Sequence, residues 1–405
     1  MDGFSLPNDD AEWLIPWTDE LFAEFEAVFG YDVVSHLPAL FLQQEGKQVS
    51  QVKWHYVEML QQLFLENFAK PVNEWCRENN LILTGHILHE DTLTTQTAMS
   101  GSMMRYYQNM DYPGVDVLTE GNSQYWIVKQ LASAARQLGQ KWLLSELYGC
   151  TGWQMTFENH KAVGNWQALF GINLRCHHLS WYTMKGEAKR DFPASILHQS
   201  TWWQEYDFVE TYFSRLGVIM SNGQPVCDVL VMNPVESVWC QVYPGWSRTL
   251  QTQSEEVKQL ESKYEQLFHW LAGAQIDFDY GDEGMIPEMY SVETTAEEPI
   301  LHIGKASYKT VIVNGMTTIR SSTVNILKEF IDAGGHVIFV GEPPAYMDAL
   351  PTSEVKKLAR HATQVKDERE SVIDACFTRS EQRAVVEEAN NGRSIHDIFL
   401  PNTRR

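Results

Sequence analysis

Lys141-Trp-Leu-Leu-Ser-Glu146 is a short apolar run that ends on an acid and leads through Leu-Tyr-Gly149 into Thr151-Gly-Trp153. Read as a strand, it brings a carboxylate to the point where a buried strand opens onto solvent. A helical pattern from Ser123 to Leu138 precedes it, another from Lys161 to Phe170 follows, and the next apolar run is Ile172-Asn-Leu-Arg-Cys-His177. Strands that alternate with helices in this way build a parallel sheet. Towards the N-terminus the rhythm repeats in Gly114-Val-Asp-Val-Leu118 and Leu81-Ile-Leu-Thr-Gly-His86. Helices are expected before these at Asp19 to Phe29 and Val52 to Asn79, the second with Pro71 as a point of interruption. Most of the strands end at or near residues able to do chemistry: His86, Glu90, Glu146 and His178. In a (β/α) barrel the active site gathers at the C-terminal strand ends, so this placement predicts a barrel enzyme. A Rossmann-like sheet would also put polar groups there, but no glycine-rich dinucleotide or phosphate-loop fingerprint follows any of these strands.

Beyond an aromatic-rich amphipathic helix from Trp202 to Met220, a second series of strands is expected. Its members are Val226-Cys-Asp-Val-Leu-Val-Met232, Ile276-Asp-Phe-Asp279, Thr310-Val-Ile-Val313 and His336-Val-Ile-Phe-Val340. These runs are largely apolar on both faces and are separated by helical patterns at Ser254 to Leu271 and Thr323 to Asp332. Strands covered on both sides read this way, which predicts a doubly wound, flavodoxin-like α/β domain. The organisation expected is residues 1–222 as a partial barrel, 223–378 as the second α/β domain, and 379–405 as a helical and irregular tail.

Composition narrows the function. The 405 residues are 44% hydrophobic and 21% charged, without an apolar run long enough to span a bilayer. With 31 basic against 53 acidic side chains the net charge is −22, which works against binding a polyanion, so nucleic acid is not an expected partner. Aromatic residues make up 12% with 14 Trp, more than a core requires; exposed rings suit the apolar faces of sugars. The cysteines Cys76, Cys150, Cys176, Cys227, Cys240 and Cys376 lack zinc-ligand spacing and read as reduced thiols. The first residues lack the pattern of a signal peptide, which points to the cytoplasm. A homo-oligomer is left open.

Cleaving a glycosidic bond normally takes two carboxyl groups, one protonated for the leaving oxygen and one ionised. Glu146 is the first candidate, beside Tyr148 and Trp153; otherwise it is a strand-end acid capping the next loop. Glu90 is the second, in the polar cluster with His86, His89 and Asp91. His86 and His89 would point to opposite sides of an extended segment, so a shared zinc is not expected. No cofactor is expected, with calcium held by oxygen ligands as the remaining metal option. His86 is assigned to a substrate hydroxyl, as are Asn173 and His178 around the next strand, with Trp153, Trp181 and Tyr182 as sugar-stacking rings. There is no Gly-x-Ser-x-Gly elbow, and no Cys sits near a His except Cys176 inside the strand itself, so another nucleophile is not supported. The loops Gly281-Asp-Glu283 and Gly341-Glu-Pro-Pro344 read as structural. A glycosidase acting on carbohydrate is therefore weighed against a non-catalytic carbohydrate-binding or assembly module.

The runs KQLASAARQLGQKWLLSELYGCTGW, GNWQALFGINLRCHH and KRDFPAS, with TGHILHED and YPGVDVL before them, resemble glycoside hydrolase family 106, the α-L-rhamnosidase-like enzymes. The domain order more distantly resembles family 42 β-galactosidases. The stretch from Gln275 to Tyr346 resembles the non-catalytic, glutamine-amidotransferase-like module behind the barrel in such enzymes. This resemblance implies α-L-rhamnosides as substrates and makes the Glu146 strand the seventh of a TIM-type barrel. The run from Ile172 is then the eighth, Val115 to Leu118 the sixth and Leu81 to His86 the fifth. A fourth strand would fall near Gly3-Phe4, where relatives carry Asp-Glu-Pro. Here Gly3-Phe-Ser-Leu-Pro-Asn-Asp-Asp10 precedes Pro16-Trp17, with the acid displaced or absent. The expectation is an incomplete barrel of strands four to eight with exposed sheet edges, truncated at both ends.

Overall fold

The computed structural model describes residues 15–41, 49–186, 194–223, 225–243, 245–246, 250, 254–294 and 298–378. The expected fourth strand near Gly3 and the tail at 379–405 lie outside the described residues.

Four strands, β1 (Thr84–Gly85), β2 (Tyr112–Val117), β3 (Leu144–Leu147) and β4 (Leu174–His177), stand side by side in chain order and all run parallel. Each is joined to the next through helical segments, which makes this sheet a half-barrel. All four were expected, but β1 is shorter than the run Leu81 to His86 suggested. Leu81 and Ile82 are exposed, and the ladder begins only at Thr84. The expected break at Pro71 takes another form. Helix Gln51–Phe64 passes through a π-helical turn, Leu65–Ala69, into helix Lys70–Glu78, and Pro71, which has no N–H to give the preceding turn, sits just after the π-helical turn.

The crossover helix between β2 and β3, Tyr125–Leu138, buries twelve of its fourteen residues, because it is covered on two sides. One side packs on β2 and the other on β6 (Phe278–Gly281) of a second sheet. Its polar residues are used on that second contact. Lys129 Nζ lies 2.6 Å from Asp277, Gln137 Nε2 donates to the Tyr280 carbonyl at 2.8 Å, and the Tyr280 N–H donates to Ser133 Oγ at 2.9 Å. Gly139, at φ 76°, ends the helix in the left-handed conformation that favours glycine.

The second sheet holds β5 (Val229–Met232), β6, β7 (Thr310–Asn314), β8 (His336–Val340) and β9 (Thr363–Val365) in the order β9-β8-β7-β5-β6, all parallel. The four apolar runs expected to share a sheet do so, and β5 through β8 are buried along almost their whole length. A continuous apolar core runs from Leu21 through helix Tyr125–Leu138 to Cys376, and a further cluster fills the opposite face of the second sheet. An antiparallel ribbon, Tyr290–Thr294, Pro299–Ile303 and Ala306–Tyr308, lies outside the parallel strands.

Candidate active site

Register lines up the reactive groups. β2 and β3 pair Asp116 with Glu146, and β3 and β4 pair Glu146 with Cys176. Alternation along each strand turns Val115, Val117 and Leu147 into the buried layer and leaves Asp116, Glu146 and Cys176 on the other face, near the strand C-termini. His86 follows β1 directly and reaches across to β3, its Nε2 2.9 Å from Glu146 Oε2. From the end of β4, His178 Nε2 stands 3.7 Å from the other Glu146 oxygen. The loops can meet this closely because residue 149 is glycine. A Cβ there would lie 2.4 Å from Leu118 Cδ2 and 3.5 Å from the His178 ring.

Hydrogen bonding and electrostatics together set the charge of the central pair. His86 Nδ1 is 2.6 Å from the Ile87 carbonyl oxygen, which can only accept, so this nitrogen carries a proton. Its Nε2 faces a carboxylate, and a second proton there makes the ring an imidazolium. Burial opposes that charge, yet the Glu146 hydrogen bond and the Ile87 carbonyl push His86 up to about 9. The same hydrogen bond, against partial burial and helped by the charges of His86 and His178, holds Glu146 below the usual carboxylate range. Asp116 moves the other way: burial first, and the negative charge of Glu146 second, lift it to about 6. Two neighbouring carboxyl groups are thus driven apart in proton affinity. Burial and Glu146 also push the Cys176 thiol up, keeping it neutral beside the acid.

His86, Asp116 and Glu146 each offer one ligand atom, all within 4.8 Å of one another, a spacing that also fits a divalent cation. One imidazole with two carboxylates departs from the all-oxygen shell that calcium prefers, and His86 would first have to release its Nε2 proton.

The other residues selected from the sequence have different fates. Glu90 is 2% exposed, pushed well above its ordinary value by burial, and accepts the Asp116 backbone N–H at 2.8 Å at the side of the strand. It does not stand in the open cluster as expected of a reacting acid. Asn173 is a plain correction: it precedes β4, at the opposite end from the mouth. There it accepts the Leu143 N–H at 2.9 Å and donates to the Lys141 carbonyl at 2.8 Å, joining two strand starts. Trp153 is 40% exposed and Tyr182 is 92% exposed, as stacking rings require. Trp181 is buried instead, edge-on to Trp153 with centroids 6.0 Å apart, and so backs the exposed ring. His89 and Asp91 do not join the His86 cluster, and Asp282 and Glu283 are buried.

Asp116, not singled out from the sequence, stands with His86 and Glu146. An acid between two valines in Gly114-Val-Asp-Val-Leu118 was the available signal, since alternation separates it from both. Also unforeseen is a polar cluster on the outer side of β4, where Arg175 lies 3.2 Å from Glu210, His177 Nε2 lies 2.9 Å from Glu210, and Arg175 donates to Tyr148 Oη at 2.8 Å. It ties helix Asp207–Met220 to the sheet.

The strand C-termini of the half-barrel thus carry a facing pair of carboxyl groups, Asp116 and Glu146. Residues 12–252, more than half of the chain, match the family model of glycoside hydrolase family 106, alpha-L-rhamnosidase, and the chain belongs to that family. A curated relative from Formosa agariphila, named "Putative beta-glucuronidase", is 24% identical over 223 residues, which are 53% of this chain and 18% of that protein. Among solved structures, the rhamnosidase of Novosphingobium sp. PP1Y matches 90% of this chain with 35% of its own, at 17% identity and a TM-score of 0.62. A family 42 exo-carrageenase from Bacteroides ovatus matches 90% of this chain with 52% of its own, at 10% identity and a TM-score of 0.61. A beta-galactosidase from Rahnella sp. R3 follows, with 82% and 50% covered, 11% identity and a TM-score of 0.54. At these identities the likeness is one of fold, and the chain spans about half or less of each of these proteins.

Proposed function

We propose that this chain acts on O-glycosidic bonds, with α-L-rhamnosides as the substrate class, through Glu146 as the ionised carboxylate and Asp116 as the protonated one. The observation that carries this reading is the register that sets Asp116 opposite Glu146 on the open face of the sheet, where burial and charge move the two carboxyl groups apart, Glu146 downward and Asp116 up to about 6. Opposed acids of this kind divide into a proton donor for the leaving oxygen and a base or nucleophile. The substrate class rests on the family and on the name of the matching Novosphingobium rhamnosidase. His86 and His178 flank Glu146 and could each donate to a sugar hydroxyl, with Trp153 and Tyr182 as stacking faces. Glu90, paired with Glu146 on sequence grounds, is replaced in this role by Asp116, because a buried acid cannot meet a glycosidic oxygen.

Hydrolysis of an aryl α-L-rhamnoside tests it, with release of the phenolate as readout. The chain is expected to turn the substrate over, with an alkaline limb near pH 6 as Asp116 ionises. Glu146→Gln and Asp116→Asn are each expected to lose at least about a hundredfold in kcat. Activity retained within a few-fold in either variant would remove that residue from the pair. A chain that binds rhamno-oligosaccharide without turnover would favour a carbohydrate-binding module, a reading supported by exposed Trp153 and Tyr182.

A further inference from the structure

We infer that Glu90 is a positioning residue: lodged beside β2, where β1 has ended, its carboxyl group holds the Asp116 backbone N–H and thereby sets where Asp116 stands against Glu146. The inference rests on the reading of Asp116 as the proton donor and extends it to the residue that aims the donor.

The ladder explains why such a residue is needed. β1 pairs with β2 only at Thr84↔Tyr112 and Gly85↔Pro113. After Gly85 the chain leaves the sheet so that His86 can turn towards Glu146. Beyond Pro113, β2 therefore has no strand neighbour on that side, while on the other it stays paired with β3 through Val117↔Leu147. In a parallel strand successive N–H groups point to alternate sides, and the Asp116 N–H points to the vacated one. Glu90 Oε2 accepts it at 2.8 Å, doing what the carbonyl of a longer β1 would have done. A buried N–H left unpaired would loosen the strand end at its reactive residue.

Glu90 itself is firmly held. Its carbonyl accepts Gln96 Nε2 at 2.9 Å, and the Asp91 carbonyl accepts Trp126 Nε1 at 2.7 Å. Thr92 then opens helix Leu93–Met99 with a reciprocal capping box to Thr95. Residues 90–92 are thus fixed by the helix they begin and by the crossover helix after β2. One loop serves two strands, with His86 at its start on Glu146 and Glu90 further along on Asp116.

Three variants of the full chain test this: Glu90→Gln, which keeps an acceptor of the same length, Glu90→Asp, which withdraws it by one carbon, and Glu90→Ala. Amide hydrogen exchange over residues 114–118 is read beside kcat and KM on the aryl rhamnoside. Glu90→Gln is expected to keep the wild-type protection and stay within about threefold in kcat. Glu90→Asp and Glu90→Ala are expected to exchange faster at Asp116 and to lose roughly ten- to hundredfold in kcat with KM within about twofold. Unchanged exchange at Asp116 in both shortened variants overturns the inference. A Glu90→Gln loss as deep as that of Glu90→Ala overturns it as well, since it would mean that the Glu90 proton takes part. Should Asp116→Asn keep full activity, the donor assignment fails, while the exchange measurement still decides whether Glu90 holds the strand.

Discussion

His86 is the residue on which the charge state of the site turns, and its position has a measurable consequence for stability. Both of its ring nitrogens face acceptors, the Ile87 carbonyl and Glu146, and the ring is raised from its ordinary 6.5 to about 9. A group raised in the folded state contributes stability in full below the unfolded value and loses it as pH climbs through the folded one. Wild type should therefore exceed His86→Gln in unfolding free energy at pH 6, with the gap narrowing between 6.5 and about 9 and closed at pH 10. Denaturant titrations of both proteins at pH 6 and 10 measure this, and a gap of equal size at the two values would remove the ion pair from the account. Glu146 could be found from sequence because it ends a run of apolar residues, whereas Asp116 lies within one and looks like part of a strand. Asn173 misled for the converse reason. Beside His177 and His178 in sequence, it belongs to the other end of a four-residue strand, about 10 Å or more away along the chain direction.

At the scale of elements, strands with apolar residues on both faces were readable and strand lengths were not. β7 and β8 occupy the runs marked out by Thr310-Val-Ile-Val and His336-Val-Ile-Phe-Val, since burial on two sides leaves a continuous apolar signature. β1 contracted to two residues chiefly at its start, where Leu81 and Ile82 are exposed, while at its end His86 turns to Glu146 through a long-range bond that leaves no local mark. The approach of β1 to β2 depends on Gly114. A Cβ there would fall 2.6 Å from the Gly85 carbonyl oxygen and 2.9 Å from Leu144 Cδ2. The first neighbour is backbone and cannot rotate away. Gly114→Ala is expected to destabilise the protein by about 1–3 kcal/mol, and to push β1 outward so that His86 loses its hold on Glu146. Thermal unfolding checks the first effect, and the loss of the pH-dependent stability increment of His86 checks the second. A variant as stable as wild type would show that β1 is not pressed against Gly114.

Across the whole molecule, the half-barrel side and the second sheet are joined by a buried set of charges that no sequence pattern announced, because its members are far apart in the chain. Arg105, after helix Leu93–Met99, places Nε 2.8 Å from Asp282, which follows β6, and Nη1 2.9 Å from Glu58 of helix Gln51–Phe64; its Nη2 donates to Glu236, beyond β5. Arg320 donates to Glu236 at 2.8 Å and also to Glu58, while Trp54 Nε1 donates to Glu236 at 2.8 Å and Ser102 Oγ to Asp282 at 2.6 Å. Gly284 completes the fit, since a Cβ there would sit 2.4 Å from the Arg105 guanidinium carbon. These acids crowd the C-terminal ends of β5 and β6, the edge where open α/β sheets usually receive a ligand. Here that edge receives two helical segments of the same chain. Removing Arg105 would leave Asp282 and Glu236 buried with too little positive charge, which typically costs about 3–5 kcal/mol, whereas trading an exposed pair such as Lys328–Asp332 costs about 0–1 kcal/mol. Arg105→Met, close to the original in volume, separates the loss of charge from the opening of a cavity. It is expected to lower the unfolding free energy by about 3 kcal/mol or more, and the deficit should persist at 1 M salt, because buried pairs are poorly screened. Lys328→Ala serves as the exposed control. A deficit in Arg105→Met no larger than that of the control, or one abolished by salt, would mean that the apolar core around helix Tyr125–Leu138 holds the two sheets together without these charges.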